Sequence, residues 1–362
     1  MSVLSNLVLN RTLLQRQLLL RRTDGTALEA IRHLVAMQGQ ECNAPYVGLW
    51  ARVAGFAHED LTALLHDRSV VRGALLRTTQ HLTAAEDFAL LRPLVQPVLD
   101  RSPRQGFGKE IAGLDLAALA AAGRELLAGQ TLTRPQLGRL LAERFPGRSP
   151  QALGGTAHFL LALLHPPPSG TWGKWGNRKA VPCVLADEWT GRALSTAPQV
   201  ETMVLRYLAA FGPAGVMDVQ AWCGLTRLGE VLDRMRPRLR TYRDEGGREL
   251  FDLPDAELAD PDLPAPVRFL PPFDNAVLGH SDRSRVIDDG DRKQVMPGMS
   301  QVRPTFLVDG FVEGTWALNG STLLLSPFRQ LSDEDTRDVV EEAGKLAAFV
   351  GEDGKAGDVA FA

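Results

Sequence analysis

Cysteine is scarce: three in 362 residues, at Cys42, Cys183 and Cys223. That excludes a disulfide framework and a cysteine-based metal centre, and it suits a reducing, cytoplasmic compartment. Long apolar runs are missing too. The most apolar early stretch, Leu13 to Leu20, is interrupted by Gln15, Arg16 and Gln17. Neither a membrane span nor a signal peptide is expected. The seven histidines are dispersed, with no His-x-x-x-His pair, so no metal site is expected and no cofactor either. No phosphate loop, dinucleotide fingerprint or serine elbow occurs. Lysine is rare: 34 of the 40 basic residues are arginine, and the first lysine is Lys109.

What remains is ordinary globular composition, 44% hydrophobic and 23% charged, long enough for two to four packed units. The net charge of -3 is unevenly spread. Residues 1–110 carry 13 basic and 10 acidic side chains, residues 111–200 carry 9 and 5, residues 201–303 carry 14 and 17, and residues 304–362 carry 4 and 11. The first 200 residues are mildly basic and the acid gathers toward the end. Such a split is compatible with a phosphate-binding face, and equally with codon bias toward arginine.

Along the chain one order recurs three times: helix, short helix pair, then a hairpin. In the first copy, Asn10 reads as the cap of a helix through Arg22. A second helix spans Asp24 to Gln38, a third starts at Asn43-Ala44-Pro45, and a fourth covers His58 to Asp67. A hairpin follows over Val70 to Leu82, then a helix to about Val98 and a linker at Ser102 to Gly108. In the second copy, Asp115 to Leu127, Thr133 to Phe145 and Ser149 to Leu164 precede a basic, aromatic wing, Thr171 to Lys179, closed by Val181 to Leu185. In the third, Pro198 to Phe211, a helix capped by Asp218 and one capped by Thr226 precede the hairpin Leu239 to Leu253. This order is that of the winged helix, a DNA-docking unit. Beyond Asp255 a Pro-rich connector leads to strand-like segments at Phe269, Val286-Ile287, Phe306 to Val308, Phe311-Val312 and Leu323 to Leu325. A helix capped by Ser332 with Asp335 follows, and the last dozen residues read as frayed. The predicted fold is therefore mainly α with small β-wings. It comprises three tandem winged-helix units (1–105, 110–195 and 196–255) plus a C-terminal β-rich domain with a terminal helix (256–362).

The segment Gln38-Gly39-Gln40 is the best candidate for chemistry. Gln38 falls on the apolar stripe of its predicted helix, where an unpaired amide is costly. In a continuous helix Gln38 and Gln40 point to nearly opposite sides. A left-handed Gly39 ending the helix lets the two amides converge, with donors and acceptors enough to hold a water. The alternative is a helix end with surface glutamines.

The stretch Leu34-Val35-Ala36-Met37-Gln38-Gly39-Gln40-Glu41-Cys42-Asn43-Ala44-Pro45-Tyr46-Val47-Gly48-Leu49-Trp50-Ala51-Arg52 resembles the active-site segment of the AlkZ-like winged-helix DNA glycosylases, which carry Gln-x-Gln or Gln-x-Asp there. Similar too are Val71-Arg72-Gly73 through His81-Leu82-Thr83, Leu270-Pro271-Pro272-Phe273-Asp274-Asn275, His280-Ser281-Asp282-Arg283-Ser284-Arg285, and Val308-Asp309-Gly310 through Gly314-Thr315-Trp316. The resemblance spans most of the chain in order, and the set is more specific than any one motif. It implies that Gln38 and Gln40 serve catalysis. Gln40, rather than Asp, points to the branch that removes bulky N7-alkylguanines and unhooks interstrand crosslinks. The implied partner is double-stranded DNA with alkylated purines, bound by a monomer.

A base alkylated at N7 is cationic and already a good leaving group. The enzyme then has only to stabilise an oxocarbenium-like sugar and place a water. Neutral glutamines can orient water; Glu41 is the runner-up for activating it. A lyase needs an amine nucleophile, and with Lys109 as the first lysine a monofunctional hydrolase is expected. Further DNA-binding candidates are His280, Arg283 and Arg285, as a phosphate clamp or as a solvated turn braced by Asp274 and Asn275. Lys174, Arg178 and Lys179 on the second wing, with Trp172 and Trp175, are others. His81 reads as structural, and Arg227, Arg234, Arg236 and Arg238 as a salt-bridged exterior. The rival to an enzyme is a non-enzymatic DNA-binding regulator or damage binder. Regulators usually use dimer symmetry, which three unlike modules in one chain do not suggest.

Overall fold

A computed structural model describes residues 2–173, 180–298, 301–351 and 357–362. Helix and strand are mixed throughout, and the strands assemble into three sheets rather than isolated small wings. The six-stranded sheet runs in the order Met37–Gln38, Gln80–Ala84, Val70–Ala74, Leu163–Leu164, Pro182–Leu185, Leu132–Thr133. It joins the hairpins of the first two segments through Gly73 and Leu164. Close approach explains the glycine, because a Cβ at position 73 would sit 2.7 Å from the Leu163 carbonyl oxygen. The third hairpin, Arg240–Asp244 with Glu249–Asp252, gains Val3–Leu4 as a parallel third strand. The five-stranded sheet contains Arg268–Leu270, Thr305–Val308, Phe311–Asn319, Thr322–Pro327 and Val359–Phe361. Pairing of this kind buries edges that single hairpins would leave open.

Caps explain most helix starts. Thr26 and Thr133 each form a capping box, with Glu29 and Gln136, and Ser332 accepts from the Asp335 N–H. Other starts lie elsewhere than the sequence predicts. The first helix is Asn6–Arg16, capped by Ser5, and Asn10 is buried inside it. Its amide donates to the carbonyls of Arg285 and Gly310 at 2.6 and 2.8 Å. Asp218 sits in the first turn of Val216–Cys223 and accepts from the N–H of Gly215, the actual cap. The expected linker is the helix Ser102–Phe107, Val286-Ile287 is a buried turn, and the expected frayed end carries a strand paired in parallel to Leu323, Leu324 and Leu325.

The largest core cluster packs the helix Val200–Phe211 against Leu13, Leu14, Phe88, Trp222 and the Val286-Ile287 turn. The terminal helix, Asp333–Val350, is tied to the N-terminal segment by a 2.6 Å ion pair from Arg22 to the buried Glu342. Its Phe349 lies against His58, which stacks on Trp172 at 4.1 Å. No helix among the described residues is long and apolar enough to cross a membrane.

Candidate active site

The helix preceding the glutamine motif, Ala27–Leu34, is shorter than the sequence suggests and ends well before Gln38. Val35 takes φ +69° and ψ -56°, and the Ala36 N–H reaches back to the Leu34 carbonyl at 2.8 Å. That is a γ-turn centred on a β-branched residue, a strained conformation that persists only when its surroundings impose it. They do: Val35 is buried, and its carbonyl accepts from Thr83 Oγ1 at 2.6 Å. The chain leaves the turn extended. Met37–Gln38 pairs antiparallel with Leu82 and His81, and the Gly39 N–H continues the ladder to the Gln80 carbonyl at 2.8 Å.

This local structure changes why Gln-x-Gln works as a spacing. The strand ends at Gln38, and Gln40 lies in the bend that follows, so the two amides are neighbours without a left-handed glycine. Gly39 does not have a positive φ. A glycine is needed for space, since a Cβ there would lie 3.3 Å from Leu82 N and 3.5 Å from the His81 carbonyl carbon. The Gln40 N–H donates to Gln38 Oε1 at 2.7 Å, and the Gln80 N–H donates to Gln40 Oε1 at 3.3 Å. Backbone donors thus fix both amide orientations. Each Oε1 keeps a second lone pair, and no hydrogen bond among the described residues engages either Nε2. Gln38 is 7% exposed and Gln40 is exposed, so the pair runs from the interior to the surface.

The loop Pro271 to Asn275 walls the inner end of the pair, where a narrow cavity is lined by Met37, Gln38, Ala44 and Pro272. Asn275 Nδ2 donates to the Ala36 carbonyl at 2.8 Å. Asp274 forms a buried two-point ion pair with Arg52, at 2.7 and 2.9 Å. Asn275 therefore braces the segment before the glutamines, while Asp274 anchors Arg52 and caps the short helix Asn275–Leu278 that leads into the His280 loop. On the outer side a cleft of about 480 Å³ is lined by Glu41, Asn43, Trp172, Arg303 and Trp316. Cys42, next in the motif, is buried.

The His280–Arg285 loop is placed differently from a phosphate clamp. His280 and Arg285 are 2% exposed. His280 Nε2 lies 3.1 Å from the Phe211 carbonyl, and Arg285 Nη1 donates to the Pro213 carbonyl at 3.1 Å. Burial and the Arg285 charge push His280 down to about 3, so it is neutral at physiological pH. Arg283 is half-buried, its Nε on the Val277 carbonyl at 3.1 Å. His81 is buried, pushed down to about 3 by burial and Arg77, with Nδ1 3.1 Å from the Thr79 carbonyl. Lys174, Arg178 and Lys179 lie outside the described residues. Arg234 and Arg236 form exposed ion pairs with Glu201, Asp233 and Glu249. Arg72 was not among the sequence candidates, although its Nε donates to the Gly39 carbonyl at 2.7 Å. Among the described residues no cluster of three potential metal ligands is present.

The comparisons with known proteins make this an enzyme that acts on DNA, a DNA N-glycosylase. The family model described as "DNA glycosylase AlkZ-like" matches residues 31–349, and the chain belongs to that family. A curated relative from Streptomyces sahachiroi, named "Interstrand DNA cross-link repair glycosylase", is 25% identical over 376 residues, covering 93% of this chain and 94% of the relative. The solved structure of Streptomyces sahachiroi DNA glycosylase AlkZ superposes with a TM-score of 0.81 at 21% identity, covering 99% of this chain and all of that one.

Proposed function

We propose that the chain is a monofunctional glycosylase that hydrolyses the N-glycosidic bond of N7-alkylated guanine in duplex DNA, including one arm of an interstrand crosslink. The observation that carries this reading is the adjoining pair Gln38 and Gln40, each Oε1 held by a backbone N–H and neither amide NH2 hydrogen-bonded among the described residues. The N7-alkylated base leaves as a neutral molecule, so the site needs no strong acid. Departure generates positive charge on the sugar. The two amides hold a water against that face through Oε1 lone pairs and Nε2 hydrogens, and the water adds as the base departs. Interstrand crosslinks enter through the named activity of the S. sahachiroi relative.

In this reading the four segments 1–105, 110–195, 196–255 and 256–362 are three winged-helix units and a β-rich domain that clamp duplex DNA as a monomer. Arg283 contributes at the surface, and His280 and Arg285 act from behind it. Three buried free thiols suit a cytoplasmic setting.

The test is base release from duplexes carrying N7-methylguanine and from a crosslinked duplex, scored as abasic sites. Gln38→Ala with Gln40→Ala is expected to lower release by at least about 10²-fold while leaving DNA binding intact. Release at the wild-type rate overturns the assignment. A borohydride-trapped protein–DNA adduct overturns the monofunctional mechanism, and a footprint at one sequence without damage preference favours a regulator.

A further inference from the structure

We propose that Arg72 is a positioning residue for the glutamine turn: its guanidinium holds the Gly39 carbonyl and so sets the directions of the Gln38 and Gln40 amides. The inference rests on the reading of those glutamines as the acting groups. Arg72 lies in the strand Val70–Ala74, opposite Leu82, and is 7% exposed. Its Nε donates to the Gly39 carbonyl at 2.7 Å, and Nη1 lies 3.4 Å from Ser169 Oγ. Charge-assisted bonds of this kind are shorter and stronger than neutral ones.

The surroundings are built for this one arginine. Gly170 has φ +92°, and a Cβ there would come within 3.0 Å of Arg72 Cδ. On the other side a Cβ at position 39 would stand 3.7 Å from Arg72 Nε. The Arg72 carbonyl accepts from the His165 N–H at 2.8 Å, which fixes the backbone. Buried Arg16 and Arg52 each pair with a carboxylate, Asp252 and Asp274. Arg72 forms no ion pair with a carboxylate among the described residues. Burial pulls its pKa down, while Cys42 and Glu41 push it back up. A desolvated guanidinium is costly to keep, and what it gains here is control of the carbonyl between the two amides.

The amides depend on that carbonyl through the peptide planes flanking it. Rotating the Gly39–Gln40 peptide would turn the Gln40 N–H away from Gln38 Oε1 and move Gln40 Oε1 off the Gln80 N–H. Arg72 supplies a hydrogen bond to the Gly39 carbonyl itself from outside the motif and its paired strand.

The experiment compares Arg72→Met and Arg72→Lys with wild type for single-turnover release of N7-methylguanine, Kd for the same duplex and Tm. Arg72→Met is expected to lower the release rate by about tenfold or more with Kd within about twofold of wild type, because small displacements of acting groups cost rate before binding. Arg72→Lys, which keeps one donor, is expected to recover part of the loss. A wild-type rate in Arg72→Met overturns the proposal. So do equal losses of rate, binding and Tm in both variants, which would mark a purely structural arginine. Should Arg72→Met fail to fold, a slower rate at unchanged Kd in Arg72→Lys supports the proposal and an unchanged rate overturns it. Full release by the double glutamine variant would remove the underlying reading along with this one. Loss in that variant beside an unaffected Arg72→Met sinks the Arg72 inference alone.

Discussion

Two polar loops stand out in this chain, and they end up in opposite states. At Gln38-Gly39-Gln40 the backbone satisfies one side of each amide and leaves the other open. At His280 to Arg285 the polar heads turn inward onto backbone carbonyls, and the loop closes over them. Both segments are rich in hydrogen-bonding groups. What separates them is where the spare donors go. Groups left unpaired at a surface are available for chemistry, whereas groups paired inside hold the fold.

The largest expected effect on stability is at the closed loop. Arg285→Met leaves the Pro213 carbonyl without its donor and disturbs the neighbouring Asp218 and His280, at a cost of about 2–4 kcal/mol in urea unfolding. The release rate per folded molecule should be unchanged. A slower rate in fully folded protein would mean that the loop takes part in catalysis, and the contrast would break.

Gly39→Ala probes the open turn. Its Cβ would press on Leu82 N at 3.3 Å, so the strand must shift by a few tenths of an ångström. The release rate should fall by about tenfold while stability falls by only about 1 kcal/mol. A variant with wild-type rate and lowered Tm would place the glycine in the fold rather than the site.

pH separates the regions by another route. His81, His158 and His280 are each pushed down to about 3 and His165 to about 4, burial being the first cause in every case. Their folded pKa values lie below that of an unfolded histidine, about 6.5, so the unfolded chain binds more protons below that pH. Stability from these groups is complete above about 6.5 and is lost as pH falls toward 4. The slope reaches about 1.4 kcal/mol per unit per histidine. The Tm should drop between pH 7 and 4.5. Because amides do not titrate, the single-turnover rate of protein that stays folded should be flat from about pH 6 to 8.5; a rate that follows one acidic group would bring in Glu41.

The smallest effect belongs to Arg283→Ala. Its one backbone contact at a half-buried position makes a change of about 0.5–1 kcal/mol in stability the expectation. A tenfold weaker Kd for DNA with unchanged Tm would show that the loop keeps one outward contact.

The helix caps at Thr133 and Ser332 were legible because their chemistry is local, acting over three residues, whereas those read at Asn10, Asp218 and Thr226 lie elsewhere. The hairpins at Val70–Ala74 and Arg240–Asp244 were legible for the same reason. What was hidden depends on partners distant in the chain. The apolar stripe from Ala27 runs through Gln38 in helical phase, yet pairing with Leu82 and His81 pulls Met37–Gln38 into a strand. The strand Val359–Phe361 exists through Leu323 to Leu325, and no local signal announces it. The two glutamines stood out through their motif, but on a helix end rather than the strand end and bend they occupy. Arg72 was missed because its role depends on Gly39, 33 positions earlier. The meaning of a glycine at the arginine's target and of another at Gly170 is visible only once the slot between them is.

The brace beneath the glutamine turn has a consequence for synthesis. Arg52 meets Asp274 across 222 positions, and Asn275 meets the Ala36 carbonyl across 239. A ribosome that has released the first third of the chain has made the motif, its paired strand and Arg72, but neither Asp274 nor Asn275. The complete brace therefore arrives late in assembly, and a short fragment carrying the motif would lack it.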